Sequence, residues 1–149
     1  MGMTHDDWSG IGFEALGEDE CLELLKLGTI GRVAVTIGAI PAVFPVNYHF
    51  VDGAIHFRTG EGAKLSAATR NHVVAFQVDE IDRVYHAGWS VLAVGTAEEL
   101  KESVDLVWAT QLPLRAWAPG VREHFVRIIP EFLSGRRILA GHSEARPWP

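Results

Sequence analysis

One cysteine in 149 residues, Cys21, excludes an intrachain disulfide. It stands among Leu22, Leu24 and Leu25 with Glu18, Asp19, Glu20 and Glu23 close by. Acidic neighbours disfavour a thiolate, so Cys21 reads as a buried, inert thiol rather than a nucleophile. Basic runs are also missing. Beyond Arg136–Arg137 no two cations are adjacent, the formal net charge is −6 and the pI is about 5.6. A chain built to neutralise a phosphate backbone looks different, so no nucleic-acid partner is expected. No apolar stretch approaches membrane-spanning length, which predicts no membrane partner. The segment Met1–Trp8 has neither a basic region nor an apolar core of the signal-peptide kind, and a cytoplasmic location is the default expectation. Repeats and low-complexity segments are absent.

What remains is ordinary globular material. Hydrophobic residues make up 48% of the chain and charged residues 21%, enough for one folded domain over 1–149 with loose tails expected at 1–15 and 141–149. A helix is expected from Glu18 to Leu27, with three acidic residues in its first turn, Gly17 as N-cap and Gly28 at the C-terminal cap. After Gly31 the period changes. Arg32–Ile37 and Ala42–Val51 are strand-like, with Pro45 marking a bulge or an edge. Asp52-Gly53 is a hairpin signal, and Ala54–Thr59 completes a three-stranded antiparallel meander. Further strands are expected at Val73–Val78, Trp89–Ala97, His124–Ile129 and near Arg137–Leu139. An amphipathic helix is expected at Glu98–Thr110, with Leu100, Val104, Val107 and Trp108 on one face. The fold class is therefore mainly β with a few α-helices, an antiparallel barrel or sandwich rather than a doubly wound parallel sheet.

The chemistry concentrates in Pro45–Leu65. Here a strand delivers Arg58 and Thr59 at its end, Gly60 and Gly62 let the backbone approach a ligand, and Lys64 falls in the first turn of a short helix. Guanidinium, hydroxyl, ammonium and backbone N–H groups together suit a phosphate. An ordinary strand–turn–helix with solvated cations accounts for the same spacing, and Glu61 has to point away from any anion. Glycine spacings of a Walker loop or a dinucleotide fingerprint are missing. On the preceding strand, Pro45-Val46-Asn47-Tyr48 offers an amide, an aromatic and a proline-disturbed ladder, features that suit a planar heteroaromatic ring.

Other candidates read as structural. The seven histidines lack metal-ligand spacing, so no metal is expected. His49 and His56 flank the hairpin and can meet across it, while His124 reads as exposed. Ser66, Ser90 and Ser103 have no identifiable triad partners. Asp79 and Asp82 are expected to pair with Arg83 or Arg70 rather than act as an acid–base couple. Trp108 reads as core, Trp117 as an interface or pocket element on a loop, and Trp148 as a tail residue without a local role. Arg136–Arg137 reads as a solvated basic turn.

The ordered series Glu20-Cys21-Leu22, Gly31-Arg32-Val33-Ala34-Val35, Pro45-Val46-Asn47-Tyr48, Phe57-Arg58-Thr59, Gly62, Lys64-Leu65, Val78-Asp79, Asp82 and Gly88-Trp89-Ser90-Val91 resembles the pyridoxamine 5′-phosphate oxidase-related flavin-binding proteins over about Glu18 to Ile138. The resemblance implies a split β-barrel of Greek-key type, a homodimer, FMN bound at the dimer interface, and an oxidoreductase acting on a small molecule. It implies that Arg58, Thr59 and Lys64 hold the FMN phosphate and ribityl chain, with backbone contacts from Gly62 and Leu65. Val46, Asn47 and Tyr48 would border the isoalloxazine with Phe57 nearby, and Trp89 and Ser90 would approach the same cleft. No catalytic side chain is implied. The longer substrate-phosphate set of the true pyridoxamine phosphate oxidases is missing. The alternatives are a binding or storage protein for FMN, haem or another planar ligand, and a deazaflavin-dependent reductase. The acidic balance offers the latter's anionic tail little beyond Arg136 and Arg137.

Overall fold

Alternating burial makes Ile30–Ile37 (β2) a half-buried strand, with Gly31, Val33 and Val35 turned inward and Arg32 and Thr36 outward. The computed structural model, which describes residues 13–60, 64–114 and 123–139, builds a barrel from this pattern. Ile40–Val51 (β3) runs antiparallel to β2 and turns inward Val46, Tyr48 and Phe50. Asp52 and Gly53 both have positive φ, 54° and 73°, the two-residue turn that matches the twist of the strands it joins. Ala54–Gly60 (β4) returns beside β3, pairing Tyr48 with Phe57 and His49 with His56. The expected meander is present.

Lys64–Ala68 (α2) then carries the chain across β2 and β4 to His72–Asp82 (β5), which pairs with β2 on the far side of the meander. This return beside the first strand of the three is a Greek-key connection. Ala87–Glu99 (β6) forms a hairpin with β5, and Glu123–Ile138 (β7) pairs with β6 on one edge and β4 on the other. The ring β7–β4–β3–β2–β5–β6 is thereby closed, all its pairings antiparallel. Phe13–Leu16 (β1) joins the distal half of β7, and Glu18–Leu27 (α1) packs against β7, β3 and β6.

The barrel core holds Val33, Ile55, Phe57, Phe76, Val78, Val91, Val126 and Ile128, with Cys21 and Leu25 of α1 inserted. Burial, reinforced by Glu20 and Glu18, pushes the Cys21 thiol upward, as expected of an inert cysteine. Gly28 follows α1 with φ −76°, so it is not a left-handed cap. A Cβ there would lie 2.2 Å from the Tyr48 hydroxyl oxygen, and close approach is what requires glycine. A second cluster of Leu100, Ala109, Leu114 and Phe125 lies under Ser103–Ala109 (α3), outside the barrel.

Several boundaries differ from expectation. The helix expected at Glu98–Thr110 shrinks to α3, because Glu98 and Glu99 extend β6 and the Leu100 N–H donates to the Phe125 carbonyl at 2.9 Å. Val104 and Val107, expected on its core face, are 81% and 64% exposed. Phe13–Leu16 is a strand rather than part of a loose tail. The two pieces expected around His124–Ile129 and Arg137–Leu139 are one strand. Arg136 and Arg137 therefore lie on β7, not a turn; Arg136 sits over the Phe13 ring at 5.6 Å and Arg137 approaches Glu20 at 3.6 Å. Pro45 marks an edge, not a bulge. Its register with Arg32 is unbroken, while β4 covers β3 only over Tyr48–Val51. Trp117, Trp148 and Gly62 lie outside the described residues, as does the Lys64 side chain.

Candidate functional site

Adjacent residues on a strand point to opposite faces, and this separates Arg58 from Thr59. Arg58 leaves the outer face of β4, opposite Phe125 of β7, with its guanidinium 4.9 Å from the centre of that ring. Its Nη1 donates to the Leu114 carbonyl at 3.0 Å and its Nη2 pairs with Glu123. Its Nε is buried and has no partner among the described residues. Thr59 faces the barrel end, buried, directly opposite His124.

His124 is not simply exposed, as its sequence context suggested. Its Nδ1 contacts a carboxylate oxygen of Glu99, whose other oxygen lies 3.8 Å from Arg70 Nε. The Nε2 of the ring is buried without a partner among the described residues. The end of the β4–β7 ladder thus holds two nitrogens without a partner among the described residues, Arg58 Nε on the outer face and His124 Nε2 on the inner face beside Thr59. Leaving such groups unpaired costs about 1–3 kcal/mol each; an anion satisfies the Arg58 Nε–H, and satisfies His124 Nε2 when the ring carries both protons. The residues present fit a phosphate.

A polar network occupies the outer face of β2, β5 and β6. Arg32 Nη1 donates to Gln77 Oε1 at 3.1 Å and lies 3.6 Å from Asp79 Oδ2. Gln77 Nε2 donates to Asp79 Oδ2 at 2.7 Å and to Ser90 Oγ at 3.2 Å. Asp79 thus takes Arg32 rather than Arg83 or Arg70. Asp82 accepts the backbone N–H groups of Val84 and Tyr85 in the β5–β6 turn. Pro45 adjoins Arg32 in the ladder, and Asn47 follows two residues on along the same face. Arg32 and Gln77 escaped the sequence reading. Their signal was the outward position of each on an alternating strand, which says nothing of their meeting.

The structure brings Asn47 and Ser90 to this outer face and sends other candidates elsewhere. Val46, Tyr48, Phe57, Leu65 and Trp89 belong to the core, so toward an outer ligand only their backbone is available. The Tyr48 hydroxyl donates to the Leu25 carbonyl at 2.7 Å, and burial pushes its pKa up to about 12. It is a structural phenol, neutral at physiological pH.

Further along the outer face of β4, Asp52, Ala54, His56, Asp105, Trp108 and Arg127 line a cavity of about 170 Å³. Arg127 is held there by Glu98, with Nε and Nη2 at 2.7 and 2.5 Å from one carboxylate oxygen. Among the described residues, no helix is long and apolar enough to cross a membrane.

Comparison with known proteins places this barrel. The family model described as pyridoxamine 5′-phosphate oxidase matches residues 17–137. An uncharacterized protein of Mycobacterium tuberculosis is 37% identical over 130 residues, 84% of this chain and 85% of that protein. Among solved structures, an FAD binding protein from Mycobacterium smegmatis is 34% identical with a TM-score of 0.72, over 83% of this chain and 96% of that one. An FAD-binding protein from Mesorhizobium loti is 26% identical with a TM-score of 0.64, over 84% and 97%. The closed antiparallel barrel is the split barrel these structures share. With a match running from the start of α1 to the end of β7, the chain belongs to the pyridoxamine 5′-phosphate oxidase family.

Proposed function

We propose that this chain binds a flavin, FMN, and works as an oxidoreductase on a small molecule, as a homodimer with the flavin at the interface. The observation that carries the reading is a pair of buried nitrogens without a partner among the described residues, Arg58 Nε on the outer face of the β4–β7 ladder and His124 Nε2 on the inner face beside Thr59. A phosphate ester fits that surplus of donors, and relatives in the same family bind flavins. Arg58 and Thr59, with Lys64, hold the phosphate end. Asn47, Ser90 and the Arg32–Gln77–Asp79 network line the outer face along which the ring lies. The flavin supplies hydride or electron transfer when bound, and the protein supplies position and exclusion of water. Tyr48 takes no part, since its proton is committed to Leu25.

FAD is the second reading, favoured by the FAD-binding relatives from Mycobacterium smegmatis and Mesorhizobium loti. FMN and FAD share the ribityl 5′-phosphate, so the same donors serve either. The test is the absorption spectrum of the purified protein, with mass identification of what it releases on denaturation. Flavin bands and a flavin mass are expected, and bleaching by a reduced nicotinamide with recovery in air marks turnover. Colourless protein that takes up neither FMN nor FAD overturns the reading. Arg58→Ala is expected to weaken FMN binding by about 2 kcal/mol, roughly 30-fold, as for loss of a charge-assisted hydrogen bond.

A further inference from the structure

His124 deserves a role that neither its sequence context nor the family resemblance gives it. Directly opposed residues in an antiparallel ladder share a face, with Cβ atoms about 5 Å apart. Thr59 and His124 are such a pair, at the last turnings of β4 and the first of β7. Glu99, reaching across from β6, contacts Nδ1 of the imidazole. That contact makes Nδ1 the donor to a carboxylate and fixes the plane of the ring, as a carboxylate does for a metal-bound or catalytic histidine. Arg70 stands by the other Glu99 oxygen, so the carboxylate is itself held. Nε2, on the opposite side of the ring, is buried and has no partner among the described residues.

We infer that His124 is a phosphate-binding residue of the flavin site, with Glu99 as its positioning residue. With Nδ1–H given to Glu99, it is the doubly protonated imidazolium, held between that carboxylate and the phosphate, whose Nε2–H donates to a phosphate oxygen beside the Thr59 hydroxyl, while Arg58 approaches from the other face of the ladder. The inference rests on the flavin reading above. It adds a ligand from β7, on a strand far in sequence from Arg58, Thr59 and Lys64. Among the described residues, nothing else satisfies Nε2.

The test compares two probes, FMN and riboflavin, which differ only in the phosphate. Each is titrated into the full-length protein and followed by flavin fluorescence. His124→Ala is expected to weaken FMN at least tenfold and leave riboflavin unchanged, so the ratio of the two affinities collapses. His124→Gln, which returns an amide donor near the Nε2 position, is expected to recover part of that ratio and guards against a variant that fails to fold. Glu99→Gln is expected to lower the ratio by less than His124→Ala. Parallel weakening of both probes, or FMN binding unchanged in a folded variant, overturns the role of His124 and leaves the flavin reading standing. A wild-type protein that binds neither probe overturns both.

Discussion

His56 shows how much one side chain can say once its surroundings are known. It is 2% exposed, its ring meets Trp108 edge-on at 5.0 Å between centroids, and its Nδ1 has no partner among the described residues. Burial, reinforced by the Arg127 charge, holds its pKa below the ordinary 6.5. The native state therefore keeps the ring neutral, while the unfolded chain takes up a proton near that ordinary value. Stability from this residue is fully present above about 6.5 and is lost as pH falls through that value toward the folded pKa. The slope approaches about 1.4 kcal/mol per pH unit between the two pKa values. Urea midpoints at pH 7, 6 and 5 should fall for the wild type, and less steeply for His56→Leu. The comparison isolates His56 from the other histidines; an unchanged slope in the variant defeats the assignment. In sequence, His56 was only a residue that could meet His49 across a hairpin, and the register does pair them. Nothing local announced that α3 would cover it.

At the scale of elements, local signals succeeded where partners are neighbours in the chain. Asp52-Gly53 and the alternation around it were enough for β2–β4, and three acidic residues were enough to start α1. They failed where a distant strand decides the outcome. Glu98 and Glu99 carry a helical pattern, yet pairing with Arg127 and Val126 keeps them in β6. The site divides in the same way. Arg58 and Thr59 were legible as polar groups at a strand end, whereas Arg32 meets Gln77 across 45 positions and His124 meets Glu99 across 25. The seam between β6 and β7, which closes the barrel, has a register shift between Val94 and Gly95. A Cβ on Gly95 would lie 2.1 Å from the Ile129 carbonyl oxygen and 2.9 Å from its carbon. Both atoms are backbone on the partner strand, so neither can turn aside. Gly95→Ala is expected to cost about 1–3 kcal/mol and to lower the melting temperature by about 2–10 °C. An unchanged thermal transition would show that the seam yields more than its geometry implies.

On the whole molecule, closing the barrel removes the edges of six strands but leaves a broad outer face on which described apolar residues are exposed. Ladder pairs align Val43, Ala34, Ala75, Val94 and Phe132 in a row across β3, β2, β5, β6 and β7. Val43 is 61% exposed and Phe132 56%, and Val73, Ile129 and Ile40 are also exposed nearby. The next row inward is Pro45, Arg32 and Gln77, the polar network proposed to flank the flavin ring. Contiguous apolar surface of this kind marks an interaction site rather than ordinary solvent-facing sheet. A second copy placed on it buries the row and brings its own surface to the ring's edge, which is the arrangement proposed above for an interfacial cofactor. The wild type should therefore sediment at twice the chain mass. Val43→Asp sets a carboxylate in the middle of the row, where it would be buried unpaired against the partner. It is expected to sediment as a single chain with its fold intact and its bound flavin lost. A wild type that is monomeric at micromolar concentration removes the interface from this face. A monomeric variant that keeps its flavin would place the cofactor within one protomer and leave the apolar row to some other contact.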